Sequence, residues 1–165
     1  MVGMYYNNLM NETPEAIVNT SEDLVLIGLD ISLRHCGIAI TDTKRIATRP
    51  LLSITWNKRR YKKFLYQIVD IIHEYKIKAV VIGLPVNVYD VLPKNKDFIK
   101  TIGHNLKQIT GLPFFFQEEH YSTVMATSFL RGNMTERKIK SRQNEIAASY
   151  ILQSFLEDNR KIVTQ

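Results

Sequence analysis

The sequence predicts an α/β fold built on a mixed five-stranded sheet, with a leading antiparallel meander, then parallel strands, and helices on its flanks. Three observations predict it. Three short apolar segments come in succession, separated by only three or four polar residues, which is hairpin spacing. Two further apolar runs each follow a segment of helical periodicity, the pattern of a strand reached by a crossover helix. A chain of 165 residues with 45% hydrophobic content is the right size for one domain around one core.

Residues 1–22 are polar, rich in asparagine and carry Pro14 without sustained periodicity, so they read as an N-terminal extension, either mobile or an adjunct. The domain is expected over residues 23–158, with 159–165 as a C-terminal tail. From Leu24 the run LVLIGLDI is short and almost wholly apolar, as in a strand buried on both faces. CGIAIT and RIATRPLLSITW follow after the polar breaks SLRH and DTK and complete the meander. NKRRYKKFLYQIVDIIHEYK then sets Phe64, Leu65, Ile68, Ile71 and Ile72 at helical spacing, with a basic beginning. KAVVIGLP reads as a buried strand closed by Gly83 and Pro85, and KDFIKTIGHNLKQIT as a helix ended by Gly111. GLPFFFQEE is the last core strand. A short helix over residues 122–130, a polar loop RGNMTERKIKS and a final helix over 143–158 close the chain. The order βββαβαβ followed by helices is that of a ribonuclease H-like fold.

Twenty-two Lys and Arg against 16 Asp and Glu give a net charge of +6, and the pI near 9.4 argues for polyanionic partners such as nucleic acid. The single cysteine, Cys36, lies in an apolar stretch, which excludes an internal disulfide framework and reads as a buried, inert thiol. No run approaches the roughly 20 apolar residues of a membrane span, so no membrane partner is expected and the cytoplasm is the expected location. His35, His73, His104 and His120 lack the spacing of a zinc site. No Walker-type phosphate loop occurs, which disfavours a kinase-like or phosphatase reading.

Asp30 is the residue at which the first apolar strand stops being apolar. A buried carboxylate costs several kcal/mol unless it is paired or binds metal, so a cation is expected beside it. Glu118 and Glu119 end the other strongly apolar strand, and adjacent strand residues face opposite ways, so only one of them can face Asp30. Two such acids at neighbouring strand ends suffice for one Mg²⁺ or Mn²⁺, whose remaining ligands are water and phosphate oxygens. The competing reading is that Asp30 caps the turn SLRHCG or pairs with Arg34, and that the two glutamates are solvated.

Lys58, Arg59, Arg60, Lys62 and Lys63, with Trp56 and Tyr61 among them, combine phosphate-neutralising charge with flat rings that could stack on bases. Equally, they read as the solvated face of an amphipathic helix, with Trp56 packing at the strand end. Arg34 joins this group, and Arg131, Arg137, Lys138, Lys140 and Arg142 form a second one before the last helix. Ser122 and Thr123 read as a helix cap that could also touch phosphate.

Taken in order, LIGLDISLRHCGIAITD, ATRPLLSI, VVIGLP, EEHYSTVMA and IAASYILQ resemble the motif set of the YqgF (RuvX-like) family across residues 24–156. The resemblance implies a ribonuclease H-like protein of a group regarded as Holliday junction resolvases or as nucleases maturing the 5′ end of pre-16S rRNA. It implies that Asp30 is the first-strand catalytic aspartate, that Glu118 and Glu119 stand where the family has Asp-Glu, and that Glu119 has the stronger claim. The family's aspartate before the Ala-Ala pair of the last helix is Asn144 here, and a neutral amide is a poor Mg²⁺ ligand. Helical spacing puts Asn144 on the face of Ala147, Ala148, Ile151 and Phe155, looking towards the sheet. Glu145, about 100° round the helix, is the substitute if the helix shifts. Ser32 replaces a family glycine, His120 replaces an arginine, and VNVYDVLPK replaces a Gly-rich continuation.

The expected activity is metal-dependent hydrolysis of phosphodiester bonds in pre-16S rRNA, or alternatively in branched DNA. A nucleic-acid-binding module weakened by the loss at Asn144 is the other alternative. A monomer or weak homodimer is expected.

Overall fold

The computed structural model describes residues 12–85, 93–119 and 142–161. The strands of the meander are β1 (Val25–Ile31), β2 (His35–Thr41) and β3 (Thr48–Thr55). Helix α2 (Tyr61–Glu74) leads to β4 (Ile77–Pro85), and α3 (Pro93–Thr110) leads to β5 (Phe114–Glu119); α4 (Gln143–Asn159) closes the chain. A short helix, α1 (Pro14–Asn19), precedes them all. The sheet order is β3-β2-β1-β4-β5. β1 runs antiparallel to β2 and parallel to β4, and β4 runs parallel to β5. The mixed sheet with a leading meander is therefore present as the sequence predicts.

Alternation along the strands builds two cores. Ile27, Leu29, Ile38, Val80 and Ile82 point to one face, where Phe64 and Ile68 of α2 and Ile102 and Leu106 of α3 cover them. Leu26, Ala39, Ala79 and Val81 point to the other, under Ala148, Ile151, Leu152 and Phe155 of α4. The second face is lined by small residues, and that lets α4 lie close to the sheet. A Cβ on Gly28 would run into the side chain of Leu152 and the carbonyl of Ala148. One on Gly37 would run into the backbone of Asn144 and Glu145. Counting forward from Leu26 in steps of two, Asp30 also belongs to the α4 face.

Two helix starts differ from the sequence reading. Residues 58–60 form a single 3₁₀ turn, which Asn57 caps by accepting the Arg60 N–H at 3.1 Å, and the α-helix begins at Tyr61. Helix α3 begins three residues before Lys96, at Pro93, a first-turn position where the missing N–H costs nothing.

The described part of the polar N-terminal segment is docked on the domain. Thr13 caps α1 by accepting the Ala16 N–H, and Ile17 and Val18 are buried in the α4-side core. Arg45, in the turn between β2 and β3, is 2% exposed and has a positive φ of 56°. Its guanidinium donates to the carbonyls of Val18, Thr20, Glu22, Leu24 and Thr43 at 2.6–3.3 Å. Asn19 ties the same segment to the end of α4 by donating to the Asn159 carbonyl and accepting the Lys161 N–H. Only two apolar residues take part, too few to show a period in sequence. Arg45→Ala is expected to lower the unfolding free energy in urea by about 2 kcal/mol, because it strands several shielded carbonyls. Arg45→Lys recovers only a fraction, since one ammonium cannot span the same fork.

Candidate active site

Asp30 sits at the C-terminal end of β1, half-buried, opposite Gly37 of β2. Burial raises its carboxyl pKa from 3.8 to about 6. Among the described residues it neither pairs with Arg34 nor caps the following turn. The hydrogen bonds of that turn are made by Ser32, whose N–H and hydroxyl both donate to the His35 carbonyl. The desolvation is therefore relieved by nothing in the turn itself.

The last strand supplies the second acid. Glu119 aligns with Pro85 on β4, so it shares the α4 face with Gly83 and Asp30. It is half-buried, with Oε1 sealed from solvent. A Cβ on Gly83 would collide with that same oxygen and with Ile151. The missing side chain at Gly83 is thus what lets the Glu119 carboxyl lie across β4 towards β1. Glu118 points the other way and is exposed.

Asp30 and Glu119 open onto one cavity of about 530 Å³. Its other described lining residues are Ile31, Ser32, Leu33, Arg34, Pro85, Phe98 and Ile99. Parallel β1 and β5 both end here with β4 between them, so the acids meet at the carboxyl ends of strands, where α/β sheets place their sites.

Among the described residues α4 contributes no side chain to the cavity's lining. The Asn144 side chain turns towards the sheet, as the helical spacing predicts, but it meets the outer strand of the meander and not the strands that carry the acids. It donates to Ser53 Oγ of β3 at 3.4 Å, on the side of β2 away from β1. Asn144 stands in the first turn, where α4 passes over Gly37, and from there its side chain reaches the outer strand. Glu145 is the buried member of the pair, 7% exposed, and accepts a 2.7 Å ion-paired hydrogen bond from Arg142 Nε. Arg142 is thereby engaged with its own helix. Among the described residues no three acids, histidines or cysteines converge as a metal-binding group.

Arg34 lines the cavity and is exposed. Lys58, Arg59 and Arg60 on the 3₁₀ turn, and Lys62 and Lys63 on α2, are all exposed. Trp56 is not available as a free stacking ring: it is 5% exposed and packed against Phe64. Ser122, Thr123, Arg131, Arg137, Lys138 and Lys140, with His120, lie outside the described residues. Cys36 is fully buried. No described helix is long and apolar enough to cross a membrane. Sequence reasoning missed Phe98, Ile99 and Leu33 as lining residues. The two glycines that shape the site, Gly37 and Gly83, carried a signal, since glycine within a strand marks close backbone approach.

Comparison with known proteins follows the same lines. The family model for RuvX, Holliday junction resolvase, matches residues 24–158. A protein of Rickettsia canadensis (strain McKiel) named "Putative pre-16S rRNA nuclease" is 30% identical over 82% of this chain and 88% of its own. One of Roseiflexus sp. (strain RS-1) with the same name is 31% identical over 86% of this chain and 99% of its own. Among solved structures, T. thermophilus RuvC in complex with a Holliday junction substrate superposes with a TM-score of 0.54 at 12% identity, over 82% of this chain and 95% of that one. The fowlpox virus resolvase with Holliday junction DNA superposes with a TM-score of 0.53 at 11% identity, over 82% and 98%. At that identity the likeness shows the fold, a ribonuclease H-like one, and no more.

Proposed function

The chain belongs to the RuvX family, and on that premise we propose that it is a metal-dependent nuclease that hydrolyses phosphodiester bonds at the 5′ end of pre-16S rRNA. One observation carries the reading: the first and last strands of the sheet each deliver a carboxylate, Asp30 and Glu119, to the same cavity. The relatives' names supply the substrate.

The donor set fits a hard divalent cation. Two carboxylates face a cavity with room for water and a phosphate, and one of them is held near pKa 6 by burial, a cost that a bound cation removes. Asp30 and Glu119 would hold Mg²⁺ or Mn²⁺. When bound, such an ion supplies charge stabilisation at the phosphoryl oxygens and a more acidic water. Arg34 at the rim neutralises substrate phosphate, and the exposed Lys58–Arg60 turn, with Lys62 and Lys63, steers the backbone.

With Asn144 in place of the family's aspartate, the described residues bring two acids to the centre. An aspartate there, freed from Ser53, would add a ligand. Asn144→Asp is expected to raise the single-turnover rate in Mn²⁺ by about tenfold, or roughly 1.4 kcal/mol. An unchanged rate would mean that the position has left the catalytic centre of this protein.

The activity is tested with Mn²⁺ and a labelled RNA carrying the 16S 5′ precursor, alongside a four-way DNA junction. Cutting of the RNA that is lost in Glu119→Gln and kept in Glu118→Gln supports the proposal. Equal trace cleavage by wild type and Glu119→Gln overturns it. Preferential cutting of the junction favours the resolvase reading, which the family's description and the fold neighbours support. Tight, salt-dependent binding without cutting favours the binding module.

A further inference from the structure

We infer that the cavity holds a nucleobase subsite, floored by Phe98, for the nucleotide beside the scissile phosphate. The inference rests on the nuclease reading of Asp30 and Glu119. Three aromatic rings lie nearly parallel: Trp56 is 4.5 Å from Phe64 at 12° and 5.3 Å from Phe98 at 11°. Phe64 is 1% exposed and Trp56 5%, whereas Phe98 is half-buried and lines the cavity with the two acids. The run of rings therefore begins in the core and comes to the surface at Phe98, inside the candidate active site.

A parallel ring stack that ends at a partly exposed ring offers a flat apolar surface of the size of a base, with the stacking geometry already set. Trp56 fixes the orientation of Phe98, and Tyr61, tilted against both rings, is anchored through its hydroxyl, which accepts from Asn105. Leu33, 57% exposed on the β1–β2 turn, and Ile99 supply further apolar lining. Charge complements this surface. Arg34 lines the same cavity, and Lys58–Arg60, one residue beyond Trp56, form an exposed basic turn. Apolar ring, cation and metal-ligating carboxylates in one cavity match the base, phosphate and scissile bond of a single nucleotide. A base can reach Phe98 only if it leaves its own stack, so the subsite selects single-stranded or splayed nucleotides over continuous duplex.

The test uses short single-stranded RNAs with one 2-aminopurine stepped along the sequence, bound to the whole protein in Ca²⁺. Strong fluorescence change at one position is expected, and Phe98→Ala should remove it and weaken binding about ten- to a hundredfold. Phe98→Tyr should retain both. An abasic nucleotide at that position should weaken wild-type binding by a similar factor and leave Phe98→Ala binding unchanged. The abasic arm leaves the protein intact, so a folding defect in Phe98→Ala cannot imitate it. Trp56, the chain's only tryptophan, reports by its emission whether the ring stack survives.

Independent, multiplicative losses from Phe98→Ala and the abasic site would overturn the subsite, as would the absence of any position-specific signal. If the RNA is cut in a Glu119-dependent way while both changes leave KM alone, the subsite fails and the nuclease stands. If the base-specific coupling holds but no cutting occurs with Mn²⁺, the subsite stands and the nuclease reading fails.

Discussion

Asp30→Asn is expected to lower the Mn²⁺-supported cleavage rate by at least about a hundredfold while making the metal-free protein more stable. The rate loss follows from removing one of the two carboxylates that the described residues bring to the cavity, since metal stabilisation of a phosphoryl transition state is worth several kcal/mol and each 1.4 kcal/mol is tenfold. The stability gain follows from linkage. The carboxyl has a pKa near 3.8 in the unfolded chain and about 6 when folded, because burial disfavours its charge. Between those values the folded state binds more protons, so stability falls as pH rises from 3.8 to 6 and the full penalty applies above 6. With Asp30 partly open to the cavity, that penalty is on the order of 1–3 kcal/mol. The neutral amide escapes it. Asp30→Asn should therefore melt higher than wild type at pH 7.5 in chelator, and the two should converge below pH 4. A variant that melts lower at pH 7.5, or keeps its advantage at pH 3.5, would show that Asp30 supports the fold instead.

Gly37→Ala is expected to have the largest effect on stability, about 3 kcal/mol or more in urea unfolding. The added methyl would occupy the space of the Asn144 carbonyl, a backbone group in a helix with no rotamer to escape into. The whole start of α4 must lift from β2. Gly37 is also the cross-strand partner of Asp30, so whatever protein still folds should cut poorly. Gly103→Ala is the control: the nearest atoms to its Cβ are side-chain atoms of Ile82 and Phe114 at 3.0–3.2 Å, and the position lies within α3, where alanine gains up to about 1 kcal/mol of helix propensity. That variant should be near neutral. Similar costs for the two would mean that α4 is not pinned by the close approach at Gly37.

The sheet could be read from the sequence because its strands are contiguous apolar runs and the crossover helices α2 and α3 show a clean 3.6-residue period. Asp30 announced itself for a related reason, as a carboxylate ending an apolar run. The choice between Glu118 and Glu119 could not be made from residue types alone. It depends on which face of β5 meets α4, and the alignment with Pro85 and Gly83 decides it. Other features depend on tertiary neighbours that leave no local pattern. Arg45 looked like one more basic turn residue until its guanidinium met the carbonyls of a segment more than twenty residues away. Phe98 fitted the apolar spacing of α3, and its opening to the cavity depends on where the β1–β2 turn lies. Helical spacing sends Asn144 towards the sheet but cannot say which strand it meets. The first turn overlies Gly37 of β2, from which Asn144 reaches Ser53 on β3.

That Asp30 and Glu119 together form a divalent-cation site is most directly tested by calorimetric titration of Mn²⁺ into the purified protein. Binding to wild type and to Glu118→Gln, weakened at least tenfold in both Asp30→Asn and Glu119→Gln, is the expected result. Mn²⁺ affinity that is unchanged in either of those two variants, or absent from the wild type, would contradict it.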